Sequence, residues 1–347
     1  MEKKNYNFMV KVTTLCPGNC KCCKNRLSEF KKIDYDKVYF DINNFKKLCN
    51  AIKNIGGTYI ALSGGEPTIV QNLDEFISVA HNAGLATRIN TSGFFIDEEK
   101  VKKWLDLGLD QIVLSIYGVD ENTVNETRGN GEIFKRSLRA LQVLSELKLK
   151  YNFIFIVQSV MMNDNYNQID KILDLAIKSH ADKFWPSYLE DAINLPEARL
   201  SEEQVESFIK DIKPKMNRVL KNNNLDKQKN MQSLDDIYKE NYSDYIYHSE
   251  DFKCYHIGNH ISFFPDGRID PCCGFEYICD KERIYVDYNK IEEILTTEFM
   301  GNLAKRKIEY CKYCPQGLHK EFLLRNNDFN EYDSRESLLQ EQKKKYQ

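Results

Sequence analysis

The chain has 347 residues, room for about two domains, or one large α/β barrel with an appendage, at the usual ~100–200 residues per domain. Its hydrophobic fraction of 42%, charged fraction of 29% and mean hydropathy of -0.56 describe a chain with enough apolar side chains to bury a core, which excludes a disordered polypeptide and a small disulfide-stapled module. Lys+Arg total 49 against 52 Asp+Glu, a formal net charge of -3, so the basic field that a nucleic-acid partner needs is missing. No run approaches the roughly 18–20 apolar residues of a membrane span; the best, 153–162, is broken by Gln158 and Ser159. The N-terminus, with Asn7 and Lys11 interrupting its apolar residues, does not read as a signal peptide. A cytoplasmic protein with no membrane or nucleic-acid partner is expected.

Apolar, β-branched runs occur at 8–14, 58–63, 85–91, 110–116, 151–158 and 181–186, each short enough for a buried strand. Between them lie helix-period segments at 43–55, 73–83, 98–107, 133–147 and 168–179, several ending at Gly or a turn residue. Alternation of this kind implies parallel β-α-β units. An open doubly wound sheet and a complete or partial barrel both fit it. Past Pro196 the pattern becomes polar and helical over 201–224, then loses apolar periodicity over 227–250, as in a linker or insertion. Short strands such as 260–264 and the turn Pro265-Asp266-Gly267 then suggest a small β-hairpin module. The final 331–347 are charged and poor in large apolar groups.

Eleven cysteines are unusual in a reducing compartment, where structural disulfides are disfavoured. Four lie between Cys16 and Cys23 and six between Cys254 and Cys314, with Cys49 alone on a helix as a small buried hydrophobe. Two separated groups suggest two metal sites. Cys16, Cys20 and Cys23 form a C-x3-C-x2-C arrangement directly after the first strand. Three thiolates on one loop can hold three irons of a four-iron cluster and leave the fourth open for another ligand. Zinc is the competing reading, although zinc sites more often use C-x2-C pairs with a fourth protein ligand.

Ser63-Gly64-Gly65-Glu66-Pro67 ends the second strand. The glycines alone would serve a tight turn, but that leaves Glu66 and Pro67 unexplained. C-x3-C-x2-C after strand one with Gly-Gly-Glu-Pro after strand two resembles the radical S-adenosylmethionine (SAM) superfamily over about residues 6–190. The resemblance implies an α/β fold, a partial (β/α)6 TIM-like barrel, with a [4Fe–4S] cluster on Cys16, Cys20 and Cys23 whose open iron chelates SAM. It also implies reductive cleavage of SAM to a 5'-deoxyadenosyl radical that takes a hydrogen atom from the substrate. By the same resemblance Ser63, Gly64, Gly65 and Glu66 meet the methionyl group, Asn90, Ser92 and Ser115 at the next strand ends contact SAM, and Arg128 reaches its carboxylate. The position before the third ligand is often aromatic in that family and helps hold adenine; here it is Cys22.

Cys254 is followed after twelve residues by Gly267, after four more by Cys272, and later by Cys311-Lys312-Tyr313-Cys314. This resembles the auxiliary-cluster extensions called SPASM and twitch. It implies a cysteine-rich α+β module holding one auxiliary [4Fe–4S] cluster on Cys254, Cys272, Cys311 and Cys314, with zinc as the alternative. The expected division is 1–195 barrel, 196–250 helical linker or insertion, 251–330 auxiliary-cluster module and 331–347 charged tail. Two outcomes follow for a peptide or small-metabolite substrate. The auxiliary cluster accepts an electron, giving oxidation with Glu190 or Asp191 as candidate base, or the Cys273 thiol returns a hydrogen atom, giving epimerisation. A flavodoxin or ferredoxin is the expected electron donor, and oxygen sensitivity follows from the open iron. A zinc-binding scaffold without turnover is the reading of another class, and a SAM-chelating loop has no place in it.

Overall fold

The computed structural model describes residues 6–23, 38–187, 189, 195–223, 257–272 and 283–306. Cys254, Cys273, Cys279, Cys311, Cys314, Glu190, Asp191 and the 331–347 tail lie outside the described residues. Six parallel strands, β1 (Asn7–Thr13), β2 (Tyr59–Gly64), β3 (Ala86–Thr91), β4 (Gln111–Ser115), β5 (Ile154–Val160) and β6 (Lys183–Ser187), lie side by side in sequence order. A doubly wound sheet reverses its order at a switch point; this one does not, and β1 and β6 stay apart, so the sheet is an open partial barrel. The connecting helices are α1 (Ile42–Asn54), α2 (Leu73–Asn82), α3 (Glu98–Asp106), α4 (Glu121–Arg128), α5 (Glu132–Lys148) and α6 (Ile169–Lys178).

Strand alternation divides the core into two. Phe8, Val10 and Val12 of β1 face the helices and join Phe45, Leu48 and Ile52 of α1 in the larger core, all fully buried. Tyr59, Ala61, Ala86, Val113, Ile154 and Ile156 point the other way and fill the barrel interior, with Met9 and Trp185 packed on them. Helix starts are set locally: Asp41, Asp97 and Asp120 each accept a hydrogen bond from a backbone N–H of the first turn of α1, α3 and α4, which satisfies donors that the helix leaves unpaired. Beyond β6, α7 (Glu202–Ser207) runs through a π-turn into α8 (Lys213–Asn222). Val205, Phe208, Ile212, Met216 and Leu220 there belong to the main core.

The expected C-terminal hairpin is present as β7 (His260–Phe263) and β8 (Arg268–Asp270), joined by β9 (Ile284–Tyr285). It does not stand apart as a separate sheet. β7 pairs in parallel with β1, Asn7 opposite His260, and carries the barrel sheet on to nine strands. No described helix is long and apolar enough to cross a membrane.

Candidate active site at the strand ends

The loops at the C-terminal ends of parallel barrel strands converge on one face. Here they enclose a cavity of ≈ 430 Å3, lined by Cys16, Cys20, Cys22 and Cys23 from the loop after β1 and by Ser63, Gly64, Gly65 and Glu66 from β2. Asn90, Ser92, Ser115 and Arg128 line it too. Every expected site residue among the described ones therefore reaches the same space, with the exception of Cys272. That thiol is buried just after β8, where Gly258 N–H donates to the Pro271 carbonyl at 2.8 Å. It stands at the end of the sheet where β1 begins, roughly 20 Å from the first cysteine loop at the usual rise of ~3.3 Å per strand residue.

Close approach between two loops explains the glycine pair. Gly65 N–H donates to Thr13 O at 2.8 Å and Glu66 N–H to Leu15 O at 2.7 Å. A Cβ on Gly64, whose φ is +133, would stand 2.1 Å from Thr13 O, and one on Gly65 would stand 2.0 Å from Leu15 O. Any larger residue would push the loop carrying Cys16 away. Glu66, 1% exposed, turns its carboxylate onto the next strand ends. Oε1 accepts from Thr68 N at 3.2 Å, Thr68 Oγ1 at 2.6 Å and Thr91 Oγ1 at 2.5 Å. Oε2 accepts from Ser92 N at 2.7 Å and from Ser92 Oγ. Glu66 and Ser92 therefore brace each other, whereas the Asn90 Oδ1, buried in the cavity wall, has no hydrogen-bond partner among the described residues.

Helix α4, for which the sequence carried no apolar period, holds the cysteine loop. Its last turn offers Arg128 O to Asn19 N–H at 2.8 Å and Thr127 O to Lys21 N–H at 2.9 Å. Just beyond, the Asn130 side chain donates to Pro17 O at 2.9 Å, and Lys21 ties the loop to Asp164 at 2.8 Å. Asp120 at its start and Gly129, with φ 64, at its end are the start and stop signals that mark it. Arg128 itself is buried, with Nη1 donating to Ser115 O at 2.8 Å and its guanidinium 4.6 Å from the centre of the Tyr117 ring.

Desolvation, only partly offset by the Gly18 N–H on its sulfur, pushes Cys16 up to about 12, and the neighbouring Cys20, Glu66 and Cys23 add to the rise. Burial first, then Cys20 and Cys23, raises Cys22 well above an ordinary thiol, while a hydrogen bond with Tyr117 pulls the other way. Cys22 lines the same cavity and packs beside Tyr117, Val160, Met162 and Leu189. Ligation requires thiolates, so loading the site releases protons.

Among the described residues no three His, Cys, Asp or Glu side chains gather closely enough for a single metal ion. A four-iron cluster takes one thiolate on each of three irons, so its ligands stand farther apart than those of one ion. Three thiols on one cavity and a buried Asn90 acceptor without a partner among the described residues fit such a cluster with SAM, whose amino group would supply the missing donor.

The family model of the radical SAM superfamily matches residues 10–176. Residues 10–176 belong to the radical SAM superfamily. The PqqA peptide cyclase of Bradyrhizobium diazoefficiens is 27% identical over 175 residues, which are 50% of this chain and 44% of that protein, so the match spans less than half of the relative's length. Among solved structures, Streptococcus suis SuiB bound to S-adenosylmethionine superposes with a TM-score of 0.62 at 14% identity, covering 90% of this chain and 71% of that one. The anSMEcpe structure with bound AdoMet has a TM-score of 0.60 at 15% identity, covering 89% and 88%. These two likenesses are of fold, and they place the chain among open α/β barrels of the same kind.

Proposed function

We propose that this radical SAM chain modifies a peptide in the cytoplasm, abstracting a hydrogen atom from one of its C–H bonds. The observation that carries the reading is the cavity in which Cys16, Cys20 and Cys23 meet the Gly64-Gly65 loop and Asn90. When bound there, a [4Fe–4S] cluster supplies the electron that splits SAM into methionine and a 5'-deoxyadenosyl radical. Cys16, Cys20 and Cys23 hold the cluster, the β2 loop and Asn90 take the methionyl amino group, and Ser63 and Ser115 complete the wall.

A peptide is favoured over a free metabolite because the relative aligned over half of this chain is named a peptide cyclase. SuiB and anSMEcpe, similar in fold, were each solved with a peptide bound. A second cluster on Cys254, Cys272, Cys311 and Cys314 belongs to the same proposal. The burial of Cys272 at the far end of the barrel sheet supports it, since substrate could then lie between two redox centres. Oxidation through that cluster and epimerisation through Cys273 are separated by solvent deuterium, which enters the product only in the second.

The test is anaerobic incubation with SAM and a low-potential reductant, with 5'-deoxyadenosine measured by chromatography. Formation by the wild type and none by a Cys16/Cys20/Cys23 triple-alanine variant supports the proposal. Equal traces in both would refute it.

A further inference from the structure

The cavity runs from the strand-end loops down into the barrel, where Asn7 and His260 at the beginnings of β1 and β7 line it. Register fixes one layer of the wall: Ser262 lies opposite Met9, Met9 opposite Ala61 and Ala61 opposite Arg88. Barrel layers are ordinarily filled by bulky branched apolar side chains. Here Ala61 is small and its neighbour is an arginine, 4% exposed, that lines the cavity. Its guanidinium lies over the rings of Tyr59, at 5.3 Å, and Trp185, at 5.6 Å. Rings engage the faces of a guanidinium, whereas its five N–H donors lie in the plane.

Charge in the cavity is one-sided. Among the described lining residues Lys11, Arg88 and Arg128 are cations. Glu66 is the one carboxylate among them, and it is held by Thr68, Thr91 and Ser92. Lys11 and Arg88 also have contacts within the protein, so a ligand joins existing company there. Arg88 precedes Asn90 by two residues on β3, a step of ~6.6 Å toward the barrel floor and away from the loops proposed to take SAM. The group it meets is therefore on the substrate.

We propose that Arg88 receives a carboxylate of the substrate, so that the peptide this chain modifies is anionic at the residue held inside the barrel. The inference rests on the peptide-modifying reading above and names its substrate class. A carboxylate matches the guanidinium fork with two parallel charge-assisted hydrogen bonds, stronger than neutral ones, and the low dielectric of a barrel interior strengthens the attraction. A peptide has two sources of such a group, an Asp or Glu side chain and the C-terminus.

The experiment measures peptide binding through the fluorescence of Trp185, which lines the cavity, on the anaerobically reconstituted full chain with SAM and no reductant. The probes are acetyl-Gly-Glu-Gly-amide, acetyl-Gly-Gln-Gly-amide and acetyl-Gly-Gln-Gly with a free C-terminus. The Glu peptide is expected to bind the wild type at least tenfold more tightly than the Gln amide, and Arg88→Gln to remove that preference. A preference for the free C-terminus alone supports the same site with the other source. Peptides that bind equally or not at all, or a preference that survives in Arg88→Gln, would overturn the proposal. If Arg88→Gln does not fold, Arg88→Lys decides, keeping the charge but losing the planar fork: a reduced preference supports the proposal and an undiminished one overturns it. Wild type that forms 5'-deoxyadenosine yet shows no carboxylate preference overturns this inference alone, whereas wild type that forms none overturns the parent reading with it.

Discussion

Replacing Glu66 by Gln separates a structural brace from a cofactor ligand. All five hydrogen bonds at this carboxylate come from donors, two of them the backbone N–H groups of Thr68 and Ser92. The three hydroxyls can rotate to accept from an amide NH2, but a backbone N–H cannot. Whichever way the Gln amide turns, one buried N–H therefore loses its acceptor, and the surviving bonds pass from charge-assisted to neutral. An unsatisfied buried donor costs about 1–3 kcal/mol and the weakened bonds add to it, so Glu66→Gln should destabilise the metal-free protein by ~2–4 kcal/mol. Urea unfolding of the metal-free wild type and variant measures this through the shift in midpoint. A change within about 0.5 kcal/mol, the range of an ordinary surface substitution, together with abolished SAM binding would refute the brace and make Glu66 a direct ligand.

Gly65→Ala should lower reconstituted iron well below the wild-type content while leaving overall secondary structure intact by circular dichroism, because its Cβ meets Leu15 O at 2.0 Å in the loop that carries Cys16. Phe155→Ala removes a fully buried ring and should cost about 3–5 kcal/mol in urea unfolding. Leu149→Ala, at a side chain 70% exposed, should stay within about 0.5 kcal/mol. Asp120 is held below the ordinary carboxylate value, first by the Thr123 N–H and further by Gln168. Its contribution is therefore present above the unfolded-state value and is lost as pH falls through the lower folded one. Asp120→Ala should cost ~1 kcal/mol at pH 7, and the gap to wild type should close in acid; a gap unchanged with pH would refute the cap.

The alternation of β1 through β6 with their helices was legible because central strands buried on both faces leave short apolar runs, and 8–14 or 85–91 needed no tertiary context. Strand order was not, since it depends on which way each crossover returns, and periodicity carries no trace of that. Helix α4 escaped because its one large buried apolar residue is Val124, too few for a 3.6-residue period; Asp120 and Gly129 were its readable signals. The hairpin at 260–270 was legible as a turn, but its pairing with β1 joins residues about 250 positions apart. In the site, cysteine spacing and the Gly-Gly-Glu-Pro run pointed to the cavity that they do line. The engagement of Glu66 with Thr91 and Ser92 was not legible, because it forms between the ends of different strands. A lone Arg128 reads as a surface charge, and only its stacking on Tyr117 and its hydrogen bond to the Ser115 carbonyl reveal it as buried.

The central claim is that Cys16, Cys20 and Cys23 hold an iron–sulfur cluster within this barrel, with a second cluster at its far end. Iron, sulfide and zinc per chain after anaerobic purification, for the wild type and the Cys16/Cys20/Cys23 triple-alanine variant, test it most directly. The account expects about eight irons with matching sulfide in the wild type, falling to about four in the variant, at four irons per cluster. Wild-type protein that folds but holds no iron, or iron content that the three substitutions leave unchanged, would contradict it.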